Sequence, residues 1–518
     1  MLTVLVFLPL LTAGVLLLAP RAVPDRACVP VWLAAAGAEL VLVVIIWLGF
    51  APGEGIQYAQ RTRWIPGAGV GYHVGVDGLS LPLVALTCVL FLAAAVHSLR
   101  RRTATGTGTG TGPGAGGGPP RVRAWVCLFL FLQTVCLGLF TALDLILFFV
   151  FFDLSIVGMY FVIAGWGHGE RARAAALKFF LYTFVGSLAL LLGFIGLYLA
   201  AEPHTFDLTD LARQDPLSGR GAHAALVLLA VGTGLAVKTP AVPFHTWLPP
   251  AHTEAPAAGS AILAGVLLKM GTYGFVRIAM PLLPGVWRQY ALVFLVVGAL
   301  SAVYGALVAL GQSDVKRMIA YTSVNHMGYV ILALGAAGVV SGTDEQARSL
   351  AVTGATVQMV SHGLITGALF LLSGVLWDRA GGHRIADFSG LAVPAPRFAA
   401  ATAVGAFAAI GLPGFSGFIA EFQIFTGSLG SQPVATAVAL TGILITAALF
   451  LRALHRMLLG PARLPDTVRT GGFGDLTAAE TAATVPLLGL SLAIGIVPRF
   501  LLDVIEPAAR TLTGLVAR

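Results

Sequence analysis

The sequence predicts an all-α polytopic membrane protein of about 14 transmembrane helices, with two inverted five-helix repeats and discontinuous helices 7 and 12. Three observations carry this. Of the 518 residues, 57% are hydrophobic and only 10% are charged, against roughly 25% charged in soluble domains. Fourteen apolar stretches are long enough to cross a hydrocarbon core, which is roughly 30 Å thick. Two of those stretches, five apart in order, are interrupted by proline and glycine beside an ionisable side chain. Broken helices at corresponding positions mark transporter ion sites built on inverted repeats.

The predicted spans fall at 2–20, 28–50, 78–98, 124–142, 144–165, 178–200, 222–243, 256–280, 289–310, 318–338, 349–377, 398–426, 433–453 and 480–502. The first stretch lacks a basic start and a cleavage site, so it reads as a retained span rather than a signal peptide. Segment 349–377 exceeds one span, which predicts a tilted or broken helix. Residues 103–120, TATGTGTGTGPGAGGGPP, form a flexible linker. No GK[ST] follows its Thr-Gly repeat, so it is no phosphate loop. The polar stretches 51–77, 201–221 and 457–479 read as surface loops, none large enough for a catalytic domain. The chain divides into residues 1–123 (three helices and the linker), 124–280 (helices 4–8, first repeat), 281–456 (helices 9–13, second repeat) and 457–518 (a loop and helix 14).

The net charge of +8 reflects loop orientation rather than nucleic-acid binding. With the N-terminus outside, most basic residues fall in inside loops: Arg21 and Arg26, Arg100–Arg102 with Arg121 and Arg123, Arg171, Arg173 and Lys178, Lys316 and Arg317, Arg379, Arg384 and Arg397, and Arg452, Arg456, Arg463 and Arg469. Both termini are then outside the cytoplasm. Cys28, Cys88, Cys127 and Cys136 show no metal or Fe–S spacing and read as small apolar helix residues.

The chemistry lies in the charges inside the spans. Asp153 follows Asp144 by nine residues, which places it roughly 13 Å along its helix, near the bilayer centre. A carboxylate at that depth points to function. Lys238 lies at similar depth in the stretch GTGLAVKTPAVPFHTWLPPAHTEAP, in a helix that Pro240 and Pro243 break. Asp153 is its natural counter-ion. At about 4 Å and an effective dielectric near 20, such a pair interacts by roughly 4 kcal/mol. Moving one charge against 100 mV costs about 2.3 kcal/mol, so a switchable pair is strong enough to load or eject a proton. Lys269 is a second mid-span lysine, and lysine, unlike arginine, deprotonates readily when buried. His326 and His362, with Asn325, Ser361, Thr366 and Gln358, supply the polar side chains of a water wire. Glu421 follows the second interruption, GLPGFSGFIAEF, where Pro413, Gly411, Gly414 and Gly417 break the helix. His245, His252 and Glu254 are separated by Pro249 and Pro250, which forbids the regular helix of HExxH. They read as a polar, cytoplasm-facing route for protons and not as a metal site.

These residues resemble the antiporter-like membrane subunits of respiratory complex I, the proton-translocating NADH:quinone oxidoreductase. The strongest stretches are GVDGLSLPLVALT (75–87), KFFLYTFVGSL (178–188), AVKTPAVPFHTWLPPAHTEAPAAGSAILAGVLLKMGTYGF (236–275), SDVKRMIAYTSVNHMGY (313–329), MVSHGLITGALFLL (359–372) and LPGFSGFIAEF (412–422). The resemblance implies that Lys238 is the pumping lysine and Lys269 the central relay. It implies that His326 and His362 link onward and that Glu421 is the distal acid. Glutamate at that last position, where several relatives carry lysine, favours the subunit M branch. Asp153 stands where the family has glutamate, and is one methylene shorter. The resemblance further implies a bacterial inner-membrane protein with no cofactor, metal or redox centre in this chain. NADH, FMN, Fe–S clusters and quinone would belong to partner subunits. Its partners would be two neighbouring antiporter-like subunits, small membrane subunits and the lipid bilayer. Competing readings are a subunit of an Mrp-type cation/proton antiporter, a membrane subunit of an energy-converting hydrogenase, and a scaffold whose charges only lock the packing.

Overall fold

A computed structural model describes residues 1–21, 23–99, 122–465, 468 and 472–518. The glycine-rich linker at 103–120 and the basic residues Arg100–Arg102, Arg121 and Arg469 lie outside the described residues. Among the described residues, ten helices are long and apolar enough to cross a membrane, and Leu2–Leu18 and Leu81–His97 are shorter apolar helices.

In chain order the main elements are α1 (Leu2–Leu18), α2 (Asp25–Leu48), β1 (Gln57–Ile65), β2 (Val70–Val76), α3 (Leu81–His97), α4 (Val122–Thr141), α5 (Leu145–Trp166), α6 (Ala172–Ala200), α7 (Gly221–Lys238), α8 (Ala257–Leu282), α9 (Pro284–Leu310), α10 (Val315–Gly338), α11 (Glu345–Ala380), α12 (Pro396–Ala409), α13 (Ser416–Leu429), α14 (Pro433–Leu458), α15 (Ala478–Ile496) and α16 (Arg499–Ala517). Aspartates start several of them. Asp144 accepts from the backbone N–H of Ile146 and Leu147 at the start of α5, and Asp314 and Asp344 cap α10 and α11 in the same way. Each cap gives a partner to a backbone donor that a helix start leaves free.

Two interruptions match the proline and glycine signals. Helix α7 ends at Lys238, and the chain turns through 239–247 before the short helix Leu248–Glu254. The sequence predicts a span through residue 243, with Lys238 inside it. The helix instead stops at the lysine, because Pro240 and Pro243 offer no N–H to continue the ladder. The freed backbone groups find new partners: Trp247 Nε1 donates to Val237 O at 2.9 Å, and Val242 N donates to Ser301 Oγ at 2.9 Å. The second interruption separates α12 from α13, and Gly411 and Gly414 hold left-handed backbone there (φ +78° and +103°).

Helix α11 is unbroken over 36 residues, roughly 54 Å at 1.5 Å per residue, so the alternative of a broken helix in 349–377 does not hold. Every residue of its most apolar window is buried, which makes it the central column of the bundle. Helices α9 and α10 approach backbone to backbone. A Cβ on Gly328 would lie 2.5 Å from Ala302 N, and one on Gly305 would lie 2.6 Å from Asn325 N.

Two elements depart from the sequence reading. The stretch 51–77, read as a loop, forms the antiparallel hairpin β1–β2. Val74 of its second strand bridges to Ala142 and Gly71 N donates to Asp144 Oδ2 at 2.9 Å, which knits the hairpin to the start of α5, where Asp144 bridges in turn to Asp207. Helix α16 is amphipathic and buries Leu501, Val504, Ile505, Ala509, Leu512 and Val516. A search for unbroken apolar runs does not register either pattern, since one has period 2 and the other period 3.6 with charges between.

The hairpin is pinned by Asp207, which accepts from Thr209 and stands 2.6 Å from His73 Nδ1 and 3.2 Å from Arg61. Burial pushes its carboxyl up, but the hydrogen bonds from His73 and Thr209 and the charges of His73 and Arg61 outweigh that and hold it lowered to about 2. The carboxylate therefore adds stability above the ordinary aspartate value, and that contribution is lost as pH falls from about 4 through about 2. The protection of amides 70–76, their exchange relative to the intrinsic rate at each pH, should fall over this window in the native chain. In Asp207→Asn the protection should be lower throughout and flat over the same window. For the close helix pair, Gly328→Val should force α9 off α10 and cost about 1–3 kcal/mol, read as a lower midpoint of thermal unfolding.

Candidate functional site

Both helix interruptions deliver a charged side chain to the interior. Lys238 is the last residue of α7 and is 1% exposed. Its Nζ donates to Ser155 Oγ at 2.8 Å and lies 4.8 Å from the centre of the Phe152 ring. The expected pair with Asp153 is not formed within ion-pair distance, and Asp153 Oδ1 has no hydrogen-bond partner among the described residues. Helical geometry gives the reason. Phe152 and Ser155 are three residues apart and share the face towards Lys238, whereas Asp153 is turned about 100° from Phe152.

Lys269 lies on α8, between two π turns at Leu263–Leu267 and Phe275–Ala279. It is fully buried. Its Nζ donates to Ala264 O at 2.5 Å and stands 2.5 Å from His362 Nδ1 on α11. A lysine and an imidazole at that distance can share one proton, either as ammonium against a neutral ring or as amine against imidazolium. The rings of His362 and His326, the latter on α10, are 5.4 Å apart. His326 Nε2 lies 3.8 Å from Glu421 Oε1 on α13. Lys269, His362, His326 and Glu421 thus form one buried line across four helices. Lys238 and Asp153 stand apart from it. Thr239, next to Lys238, packs against Gly271 of α8.

The supporting polar residues are placed unevenly. Asn325 donates to Ala302 O at 2.7 Å and to Tyr329 Oη at 3.0 Å. Ser361 joins Ser416 at 2.7 Å, and Ser416 joins Ser491 at 2.7 Å, a hydroxyl chain through α11, α13 and α15. Gln358 and Thr366 are buried, and Gln358 Oε1 has no partner among the described residues. His252 is fully buried and stacked on Phe370 at 4.4 Å, with neither ring nitrogen partnered among the described residues. His245 is buried against Tyr304, and Glu254 is half-buried.

Sequence reasoning missed Ser155, Ser416 and Lys316 as participants. Lys316 was counted as a basic loop residue. It is 1% exposed in the first turn of α10, and its Nζ donates to Ala255 O at the end of the short helix Leu248–Glu254. Its position two residues after the capping Asp314 was the available signal.

The Glu421 carboxyl rests on the α-carbon of Gly411, where an added Cβ would lie 2.5 Å from Glu421 Oε2. Gly411→Ala should move the carboxyl beyond 4 Å from His326 and cost about 1–2 kcal/mol for the left-handed backbone. A structure of the variant with the 3.8 Å separation unchanged would refute this.

A helical membrane bundle with two interrupted helices, each offering an ionisable group to a buried line of lysine and histidine, belongs to the class of ion-translocating membrane proteins. The family described as NADH:quinone oxidoreductase/Mrp antiporter, transmembrane, matches residues 142–446. The chain is 34% identical to NADH-quinone oxidoreductase subunit M of Rickettsia bellii, covering 98% of each. It is 36% identical to F(420)H(2) dehydrogenase subunit M of Methanosarcina mazei, covering 93% of this chain and 92% of that one. Respiratory complex I from Thermus thermophilus with bound NADH contains a chain with a TM-score of 0.83 and 30% identity, each covered in full. A chain of the Mrp complex from a Dietzia species has the same TM-score at 24% identity, over 100% of this chain and 98% of that one, and so shares the fold. This chain belongs to the NADH:quinone oxidoreductase/Mrp antiporter transmembrane family.

Proposed function

We propose that this chain is the proton-translocating membrane subunit, of the subunit M type, in an NADH:quinone oxidoreductase of a bacterial inner membrane. The observation that carries the reading is the buried line Lys269–His362–His326–Glu421, fed by Lys238 at the end of a broken helix. The chain itself holds no redox centre. NADH oxidation by FMN and Fe–S clusters and the reduction of quinone belong to partner subunits, and two antiporter-like neighbours and smaller membrane subunits flank this one. The Methanosarcina relative is named for a different electron donor, which agrees with donor choice lying in those partners.

In this reading the chain crosses the bilayer fourteen times with both termini outside the cytoplasm. Residues 124–280 and 281–456 are inverted repeats of five helices each, flanked by 1–123 and 457–518. A neighbouring subunit draws the Asp153 carboxylate towards or away from Lys238, and Ser155 holds the ammonium in the unpaired state. Gain and loss of a pair worth roughly 4 kcal/mol alternately load and discharge Lys238. The released proton passes by Thr239 to Lys269, which exchanges it with His362. His362 Nε2 and His326 Nδ1, both without protein partners among the described residues, are the atoms that a hydrated path joins. Glu421 then hands the proton to the outside. His252 and Lys316 lie on the opposite, cytoplasmic approach to Lys269.

In assembled complex, Lys238→Ala should lower the protons pumped per NADH oxidised. Lys238→Arg keeps the charge but does not release a proton, so it should assemble normally and fail in the same way. Acidification of inside-out vesicles on adding NADH is the measurement, and unchanged stoichiometry in both variants would overturn the reading. Sodium- or potassium-driven proton exchange without NADH, lost in Lys238→Ala, would assign the chain to an antiporter instead.

A further inference from the structure

A buried ionisable group lies outside the region that the family matches, which begins at residue 142. Glu39 sits midway along α2 and is fully buried, as is Gln133 on α4. Gln133 Nε2 donates to Glu39 Oε2. The other two oxygens, Glu39 Oε1 and Gln133 Oε1, have no hydrogen-bond partner among the described residues. No lysine, arginine or histidine among those residues forms an ion pair with Glu39. The Cys88 thiol of α3 lies near it. Helix α1 carries no ionisable side chain. The Trp32 and Phe129 rings, 5.2 Å apart, pack between α2 and α4 along the same interface.

A carboxyl and a primary amide are both planar, and each has two polar atoms on one edge. When the amide hydrogen cis to its own oxygen makes the first hydrogen bond, the remaining oxygens come opposite each other. Two acceptors in that position repel unless one of them carries hydrogen. Within the pair it is the carboxyl that can supply it, since a primary amide oxygen carries no hydrogen. An ionised Glu39 would be a carboxylate in hydrocarbon surroundings with one amide donor and no cation.

We propose that Glu39 and Gln133 form a proton-binding site in the flanking helices. The Glu39 carboxyl carries the proton, donates it to Gln133 Oε1 and accepts from Gln133 Nε2, which closes a reciprocal acid–amide pair. The site holds its proton separately from the Lys269–Glu421 line. It has a bearing on that line through α4, because Cys136, one helical turn after Gln133, lies near Lys238.

The test is the infrared spectrum of the assembled complex in lipid vesicles, native protein against Glu39→Gln. That variant keeps a reciprocal amide–amide pair and so keeps α2 on α4. The native-minus-variant difference should contain the carbonyl stretch of one protonated carboxylic acid, distinct from any band lost in Glu421→Gln. In Gln133→Leu the same band should move to higher frequency, because the acid loses its partner. A difference spectrum with a carboxylate band in place of the acid band would overturn the proposal. So would a Gln133→Leu spectrum with the acid band at its native frequency.

Discussion

A charge and an unpaired backbone group are the two most expensive things to place in hydrocarbon, and the end of α7 contains both. The rest of the structure is arranged around making that end tolerable. Trp247 and Ser301 take up the backbone groups that Pro240 and Pro243 release. Lys238 then sits where the last carbonyls of α7 carry partial negative charge, which favours an ammonium. The mirror arrangement holds at the second interruption. Glu421 lies in the second turn of α13, close to the positive end of that half-helix. Each interruption therefore presents the charge that its helix end prefers, lysine at a C-terminus and glutamate near an N-terminus.

Away from helix ends, the interior still holds titratable groups without a full set of counter-ions. Lys269 has no carboxylate partner among the described residues and is stabilised by a carbonyl and an imidazole. The two π turns that flank it displace the regular ladder of α8 just where a side chain needs a backbone acceptor. The Asp77–Arg277 ion pair at 2.6 Å, with Tyr273 also donated to by Arg277, locks the far end of the same helix against the start of α3. A fixed end and a locally loosened centre leave Lys269 held between a carbonyl that only accepts a hydrogen bond and an imidazole that can take its proton.

Much of the fold and the line of site residues was legible because membranes penalise polarity steeply. A lysine, histidine or glutamate within an apolar stretch stands out by composition alone, and proline with glycine marks where a helix cannot continue. What was not legible depends on facing. Phe152, Asp153 and Ser155 are near neighbours in sequence, and only the turn of α5 decides that serine and not aspartate meets Lys238. Lys316 has the composition of a loop residue, and only the packing of α10 under the short helix Leu248–Glu254 buries it. Glu39, inside the span 28–50, stands out by the same rule, but its pairing with Gln133 on another helix does not show in the sequence. The hairpin and α16 escaped notice because they satisfy their hydrogen bonds and bury their apolar faces without any long apolar run.

Helix α11 has no interruption anywhere along its 36 residues. It touches α8 through His362 and Lys269, and α13 through the Ser361–Ser416 bond and the close contact of Gly354 with Gln423 and Ile424. A rod of that length cannot shorten or bend to suit one neighbour alone. Any shift that rocks it at α8 must appear, with a lever ratio set only by the position of its fulcrum, at the base of α13. The first interruption also leans on this rod, because His252 of the short helix Leu248–Glu254 stacks on Phe370, so both interruptions rest on one unbroken element.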